Sequence, residues 1–530
     1  MASGESPIVE TTNGPIKGLK VRETFVFKGV PYGASTAGDR RFRAPVPPER
    51  WSEVRDATEY GPSTVQRKRF VDPYVAPEPG AKPQPPMPMS EDCLILNVFT
   101  RGLGDGKKRP VMLWLHGGGF RTGVSSTYAS DGVRLTERGD VVLVSINHRL
   151  NVYGFLHLLD LCGPDFDGSG QAGQLDIILA LQWVRDNIEA FGGDPDNVTL
   201  FGVSGGGRKI TQLLGMPEAR GLFHRGIIQS GAHPRGVPRD RANDFSERFL
   251  ARMGIKPSEI SRLQHMPIEE LHAGLYGWLD AESDRESGFG GGLLSPVVDG
   301  VHIPDHAFDP VASPHAAGVP IIIGTTRHEM GTFMARLPDE YANIDEARLL
   351  EEARPVLGDR AEAVIEVTRK NRPGSTPYDL LVALASEDRR QLSLQVAERH
   401  AAAGNPTYFY QFAWETNYQN GLVRAGHGLD TTLCFDNPDG RPMTGTDPSR
   451  FDIAALMSET WIAFARSGDP NHEGLPLWEQ FNAETRHQMV LDLPPHAETD
   501  WDSPERLAWA DVKVNLPFEG PAFVGAFAAD

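Results

Sequence analysis

Short runs of continuously apolar, branched residues alternate along the chain with stretches in which apolar residues recur every three or four positions. "PVMLWLH" (Pro110 to His116) and "VVLVSIN" (Val141 to Asn147) have the length and composition of strands buried on both faces. "QLDIILALQWVRDNIEAF" (Gln174 to Phe191) puts Leu175, Ile178, Leu179, Leu181 and Ile188 on helical spacing, and the "GGDP" after it stops the helix. "VTLFGVS" returns to a strand and leads into a helix through Ile210 to Met216, while "HRGIIQSG", "VPIIIGTT" and "TYFYQFAW" supply further strands. This alternation predicts an α/β protein whose mostly parallel sheet is covered on both faces by helices.

Three segments break the rhythm. From Val71 to Met89 the chain is dense in proline ("VAPEPGAKPQPPMPM"), which predicts an extended surface loop. Ile268 to Leu294 mixes a short helix with "SGFGGGLL", and Asn343 to Gly404 reads as a helical block ending in "AERHAAAG". No internal repeat is present. We read residues 1–530 as a single domain in which 268–294 and 343–404 are insertions that shape a pocket, since loops beyond strand ends carry specificity in such sheets.

With 530 residues, 40% of them apolar and 23% charged, the composition is that of an ordinary globular protein. A formal charge of −19 disfavours nucleic acid and anionic membranes as partners, because phosphate groups call for a basic surface. The run Arg67, Lys68, Arg69 reads as a solvated loop. "MASGESPIVETTNG" lacks the basic start and apolar core of a signal peptide, and no stretch is long and apolar enough to span a bilayer. Three scattered cysteines, Cys93, Cys162 and Cys434, give no disulfide framework and fit a reducing, cytoplasmic compartment.

The candidate chemistry centres on Gly202-Val203-Ser204-Gly205-Gly206, a G-x-S-x-G sequence between a strand and a helix. Alone the pattern is weak in a chain with 56 glycines; its position between those elements makes it specific. A serine on so tight a turn is strained, and glycines at 202 and 206 remove collisions with neighbouring segments. The helix N-terminus behind Ser204 favours developing negative charge. "WLHGGGF" (Trp114 to Phe120) supplies glycines after a buried strand, so that main-chain N–H groups can face a cavity. The N–H groups of Gly118, Gly119 and Gly205 are the candidates for holding a tetrahedral oxyanion. His427, in the glycine-flanked loop "RAGHGLD", is the candidate base, and His400 is read as decorating a helix end. Glu329, a few residues beyond the strand in "IIIGTTRHEMG", is the candidate acid that orients the imidazole, with Asp299 as runner-up. The plain alternative for Glu329 is a surface pair with Arg327 or another surface cation.

Taken together the segments resemble the type-B carboxylesterase and cholinesterase family of α/β-hydrolases. The resemblance runs through "FKGVPYG", "RFRAPVPPERW", "SEDCLILNVF", "LHGGGF", "NHRLNVYGFL", "LQWVRDNIEAFGGDPDNVTLFGVSGG", "GLFHRGIIQSG", "GTTRHEMGTF", "AGHGLD" and "ARSGDPN". It implies an α/β-hydrolase fold, with Ser204, Glu329 and His427 as the triad and Gly118, Gly119 and Gly205 as the oxyanion hole. The implied reaction is hydrolysis of carboxylic esters through an acyl-enzyme, with no metal or organic cofactor, by a monomer or homodimer. The competing readings are a non-catalytic adhesion or binding protein built on the same fold, and acyl transfer to an alcohol or amine acceptor by the same groups. The chain departs from the family pattern at Val203, where glutamate is usual, at Gly205, where alanine is common, and at Arg208-Lys209, which replaces small or polar residues. The family's disulfide from the position of Cys93 is lost, because "GPSTVQ" (Gly61 to Gln66) offers no partner.

Two competing motifs carry less. "GSGQAG" (Gly168 to Gly173) matches a dinucleotide fingerprint, but a turn precedes it where a strand is required. "HIPDH" (His302 to His306) and His328-Glu329 do not place two ligands on one helix face with a third in view, which argues against a metal site. Trp183, Phe191, Trp461 and Phe464 recur at helical spacing and are read as core.

Overall fold

A computed structural model describes residues 6–67, 88–281, 292–510 and 512. The proline-dense loop expected at 71–89 lies outside the described residues except for its last two positions, and so does most of "SGFGGGLL".

Eleven strands form the scaffold, and we number them in chain order. They are β1 (Leu19–Val21), β2 (Thr24–Pro31), β3 (Ile95–Thr100), β4 (Arg109–Leu115), β5 (Val142–Ile146), β6 (Gly193–Val203), β7 (Arg225–Gln229), β8 (Ile321–Thr326), β9 (Thr407–Phe412), β10 (His487–Leu491) and β11 (His496–Thr499). Their order across the sheet is β11-β10-β9-β8-β7-β6-β4-β5-β3-β2-β1. The run from β10 to β5 is parallel throughout, and the strands at both flanks pair antiparallel. The five strand sequences that the apolar runs point to after Pro110 are β4, β5, β7, β8 and β9, and "VTLFGVS" closes β6. The antiparallel strands at the flanks carry no such long apolar run.

Continuous apolarity reflects burial on both sides, because side chains alternate faces along a strand. Val111, Leu113 and Leu115 pack into the core on one face, against Ile177, Leu181 and Val184 of helix α1 (Ala172–Asn187) and Ile210 and Leu213 of helix α2 (Gly205–Leu213). Helix α3 (Pro377–Ala402) adds Leu394 and Ala397 to the same cluster. Met112 and Trp114 point to the opposite face, where they share a core with Trp461 and Phe464 of helix α4 (Arg450–Ser467). Trp183 and Phe191 are buried as well. Between 343 and 404 the chain forms three α-helices, the last of them α3.

α1 runs into a short 3-10 turn over Ile188–Phe191 and ends at Gly192, whose φ of 71° is the left-handed conformation glycine adopts without a Cβ penalty. "GSGQAG" is a tight turn entering α1, preceded by another 3-10 turn at Pro164–Phe166, so the strand a dinucleotide site requires is not there. The three cysteines are all free thiols. Among the described residues no helix is long and apolar enough to cross a membrane.

Candidate active site

The segments singled out in the sequence leave the sheet at the carboxyl ends of neighbouring parallel strands, where ligands bind in open α/β sheets. β4 delivers the glycine loop, β6 delivers Ser204, β8 delivers Glu329, and the loop after β9 delivers His427. Leu115 is registered against Gly202, and Thr326 against Phe412, so the four exits lie at one edge of the sheet.

Ser204 joins β6 directly to α2. Its φ of 57° and ψ of −119° lie outside the regions that a residue with a side chain ordinarily adopts, a distortion costing on the order of 1–3 kcal/mol. Two main-chain bonds hold it there: its N–H donates to the Gln229 carbonyl at 2.7 Å, and its carbonyl accepts from the Arg208 N–H at 3.0 Å. Glycine is required around it for want of space. A Cβ at Gly206 would stand 2.0 Å from the Leu115 carbonyl oxygen, and one at Gly202 would stand 2.7 Å from the same atom.

The carboxylate and the imidazole meet. Beyond β8 and β9 the chain pairs once more in parallel, His328 with Gly426, so that Glu329 and His427 stand side by side although 98 positions separate them. The His427 N–H donates to the Glu329 carbonyl at 3.2 Å, and His427 Nδ1 is hydrogen-bonded to Glu329 Oε2. Glu329 Oε1 accepts from the Thr326 N–H at 2.9 Å, which fixes the second carboxylate oxygen. Thr332 Oγ1 donates to the His427 carbonyl at 3.0 Å, and the Phe333 ring lies 5.4 Å from the imidazole.

Electrostatics separate two buried carboxylates here. Burial pushes the Glu329 carboxyl up, but His427 and the Arg389 guanidinium, 3.9 Å away, outweigh it and hold it below its ordinary range. Asp430, three residues after His427, is fully buried and goes the other way: desolvation raises it, and Glu329 raises it further. Its Oδ2 accepts from Gln229 Nε2 at 2.9 Å and from the Tyr410 hydroxyl at 3.1 Å. Paired environments that drive two acids apart in this way leave Glu329 as the one suited to face an imidazolium.

Glycine also governs the approach of the β4 loop. Gly118 and Gly119 have φ of 87° and 62°. A Cβ on Gly205 would fall 2.2 Å from the Gly119 carbonyl oxygen and 2.5 Å from the Gly119 nitrogen, so these two main chains touch. A Cβ on Gly117 would lie 3.6 Å from Ser204 Cβ.

Other candidates have structural duties. Asp299 spends its carboxylate on Gln171 and on the N–H groups of Val301 and Ile303, both at 3.0 Å. Arg327 pairs with Asp502 at 3.3 Å and lies over Trp501, so it does not claim Glu329. His400 is not a surface ornament of its helix: it is fully buried against Thr407 Oγ1 at 2.9 Å, and burial pushes its imidazole down to about 3. His302 is held by Glu218 and Asp167, and among the described residues no group of three His, Cys, Asp or Glu side chains could hold a metal ion.

Sequence reasoning missed Arg389, Asp430 and the destination of Lys209. The last was within reach, since Gly206, Lys209, Ile210 and Leu213 fall at i, i+3, i+4 and i+7, which places the lysine on the buried face of α2.

The carboxylesterase family model matches residues 5–508, and the chain belongs to that family. It is a carboxylic ester hydrolase of the α/β-hydrolase fold. Among its relatives are the para-nitrobenzyl esterase of Bacillus subtilis (strain 168), 33% identical over 94% of this chain and 97% of that protein, and the phenmedipham hydrolase of Pseudarthrobacter oxydans, 36% identical over 92% and 95%. The solved carboxylesterase of Geobacillus stearothermophilus superposes with a TM-score of 0.79 at 35% identity, covering 95% of this chain and 99% of that one.

Proposed function

We propose that this esterase works through Ser204, His427 and Glu329. Ser204 Oγ attacks the ester carbonyl and forms the new C–O bond while His427 Nε2 takes its proton. The carbonyl oxygen becomes an oxyanion, met by the N–H groups of Gly118, Gly119 and Gly205. Collapse expels the alcohol, which leaves with the proton from His427, and water then repeats the sequence on the acyl-enzyme. Glu329 keeps the imidazole proton on Nδ1, so that Nε2 presents its lone pair, and stabilises the imidazolium as it forms.

The observation that carries this reading is the buried Glu329–His427 pair, Nδ1 to carboxylate, at the same sheet edge as a serine held at φ 57°. In this reading the segments 268–294 and 343–404 shape the pocket. A reducing, cytoplasmic setting belongs to it too, supported by the free thiols of Cys93, Cys162 and Cys434.

The test is turnover of a short-chain chromogenic ester together with labelling by a phosphonate. Ser204→Ala is expected to lower kcat by at least about 10³-fold and to abolish covalent labelling with the fold retained. Equal rates for variant and wild type would remove Ser204 from the reaction.

A further inference from the structure

Lys209 is an unexpected residue to find inside this molecule. It sits one turn beyond Ser204 on α2, is wholly shielded from solvent, and forms no salt bridge with a carboxylate among the described residues. Its Nζ donates to two main-chain carbonyls of the β4 loop, that of His116 at 3.1 Å and that of Gly119 at 2.9 Å, and it lies 5.5 Å from the Phe120 ring centre. Desolvation and the neighbouring Arg208 push the amine well below its ordinary range. Charged or neutral, an amine still has two hydrogens to give.

The carbonyls of that loop can be accounted for one by one. His116 and Gly119 give theirs to Lys209; Gly117 gives its own to His116 Nδ1 at 2.8 Å; Gly118 accepts from the Thr122 N–H at 3.0 Å. The peptide planes that carry the Gly118 and Gly119 N–H groups are thus held through the Gly117 and Gly118 carbonyls, and Lys209 holds the plane on either side of them, with positive φ at 118 and 119. His116 is a neutral donor for this purpose: burial pushes it down to about 3, and Lys209 adds to the effect.

We infer that Lys209 is a positioning residue that clamps both ends of the oxyanion loop, and that Gly205 is its counterpart, leaving out the Cβ that would keep Gly119 at a distance. Two of the departures from the family pattern thus form one device, in which a side chain from α2 draws the loop in while a missing one lets it come. The inference rests on the reading of Gly118 and Gly119 as oxyanion donors.

The experiment compares wild type with Lys209→Met, which keeps the linear stem and removes both donors, and Lys209→Gln, whose amide donates but reaches one bond less far. For Lys209→Met we expect kcat to fall about 10- to 100-fold with KM within about twofold, since the lost interaction serves the transition state. Affinity for a short-chain trifluoromethyl ketone, whose adduct with Ser204 carries the oxyanion, should fall by the same factor, and Lys209→Gln should lie between. A folded Lys209→Met with unchanged kcat would overturn the inference. So would a loss confined to KM, or failure of both variants to fold, which would make Lys209 a folding residue only. Ser204→Ala, run in parallel, separates this from the larger reading: if it retains turnover, the assignment of the site falls rather than the role of the clamp.

Discussion

The two halves of the proposed site solve opposite electrostatic problems. On the acid–base side, a buried carboxylate and an imidazole satisfy each other, with Arg389 in attendance. On the oxyanion side a buried lysine donates to two carbonyl oxygens and lies beside an aromatic ring, with no carboxylate paired to it among the described residues. In the proposed mechanism the first half works through His427, whose charge changes during the reaction while Glu329 stays ionised. The second is built from main-chain groups that must not move, and its lysine serves geometry. Substitutions should therefore act through proton transfer in one half and through loop placement in the other.

The largest effect belongs to the first half. Glu329→Gln keeps the shape but lets the imidazole adopt the wrong tautomer, and we expect kcat to drop about 10³- to 10⁴-fold with the fold retained. A steady-state assay on a chromogenic ester measures it; a loss under tenfold would move the acid elsewhere. Stability gives a second readout. Glu329 titrates below its ordinary 4.5 in the folded chain, so its contribution is complete above that value and is lost as pH falls through the folded one. The gap in urea midpoint between wild type and Glu329→Gln should then narrow as pH falls below 4.5.

The middle effect belongs to the second half. Gly205→Ala would put a methyl group 2.2 Å from the Gly119 carbonyl oxygen, and main chain has to give way. We expect about a 10²-fold fall in kcat, with His427 and Glu329 undisturbed and KM nearly unchanged. If the variant is as active as wild type, the loop tolerates displacement and its close approach is incidental. The smallest effect returns to the first half: Asp430→Asn preserves an acceptor for Gln229 and Tyr410, and we expect less than about a tenfold change in kcat. A loss equal to that of Glu329→Gln would mean that the two carboxylates share the task.

Much of this plan could be read in the residues before any coordinates. The parallel strands announced themselves because burial on both faces demands unbroken apolar runs, as in "PVMLWLH" and "VPIIIGTT". Among the antiparallel flanking strands, Leu19–Val21, with two exposed residues of three, resembles a loop, and the buried Ile95–Thr100 has its apolar run broken at Asn97. Ser204 was legible because close packing around it admits only glycine at fixed offsets. Position relative to strands makes Glu329 and His427 candidates, but their contact depends on the His328–Gly426 rung, which no local pattern encodes. Asp430 stayed hidden because its partners Gln229 and Tyr410 come from two distant strands. His400 misled because a polar residue in the last turn of a helix usually faces water, whereas this one has Thr407 beneath it.

That rung also bears on where the chain can lengthen or shorten. Glu329 lies three residues past the last of β8, and His427 one residue past the bridge that ties the two exits together, so the pair is set by counting from anchored main chain. In the segment between them, from residue 343 to 404, α3 carries Arg389 beside Glu329 and packs Leu394 and Ala397 into the core, so latitude in length is left to exposed turns such as Gly358-Asp359. A single residue inserted between Thr326 and Glu329 has no such latitude, because it would swing the carboxylate away from the imidazole while the rest of the chain still folded.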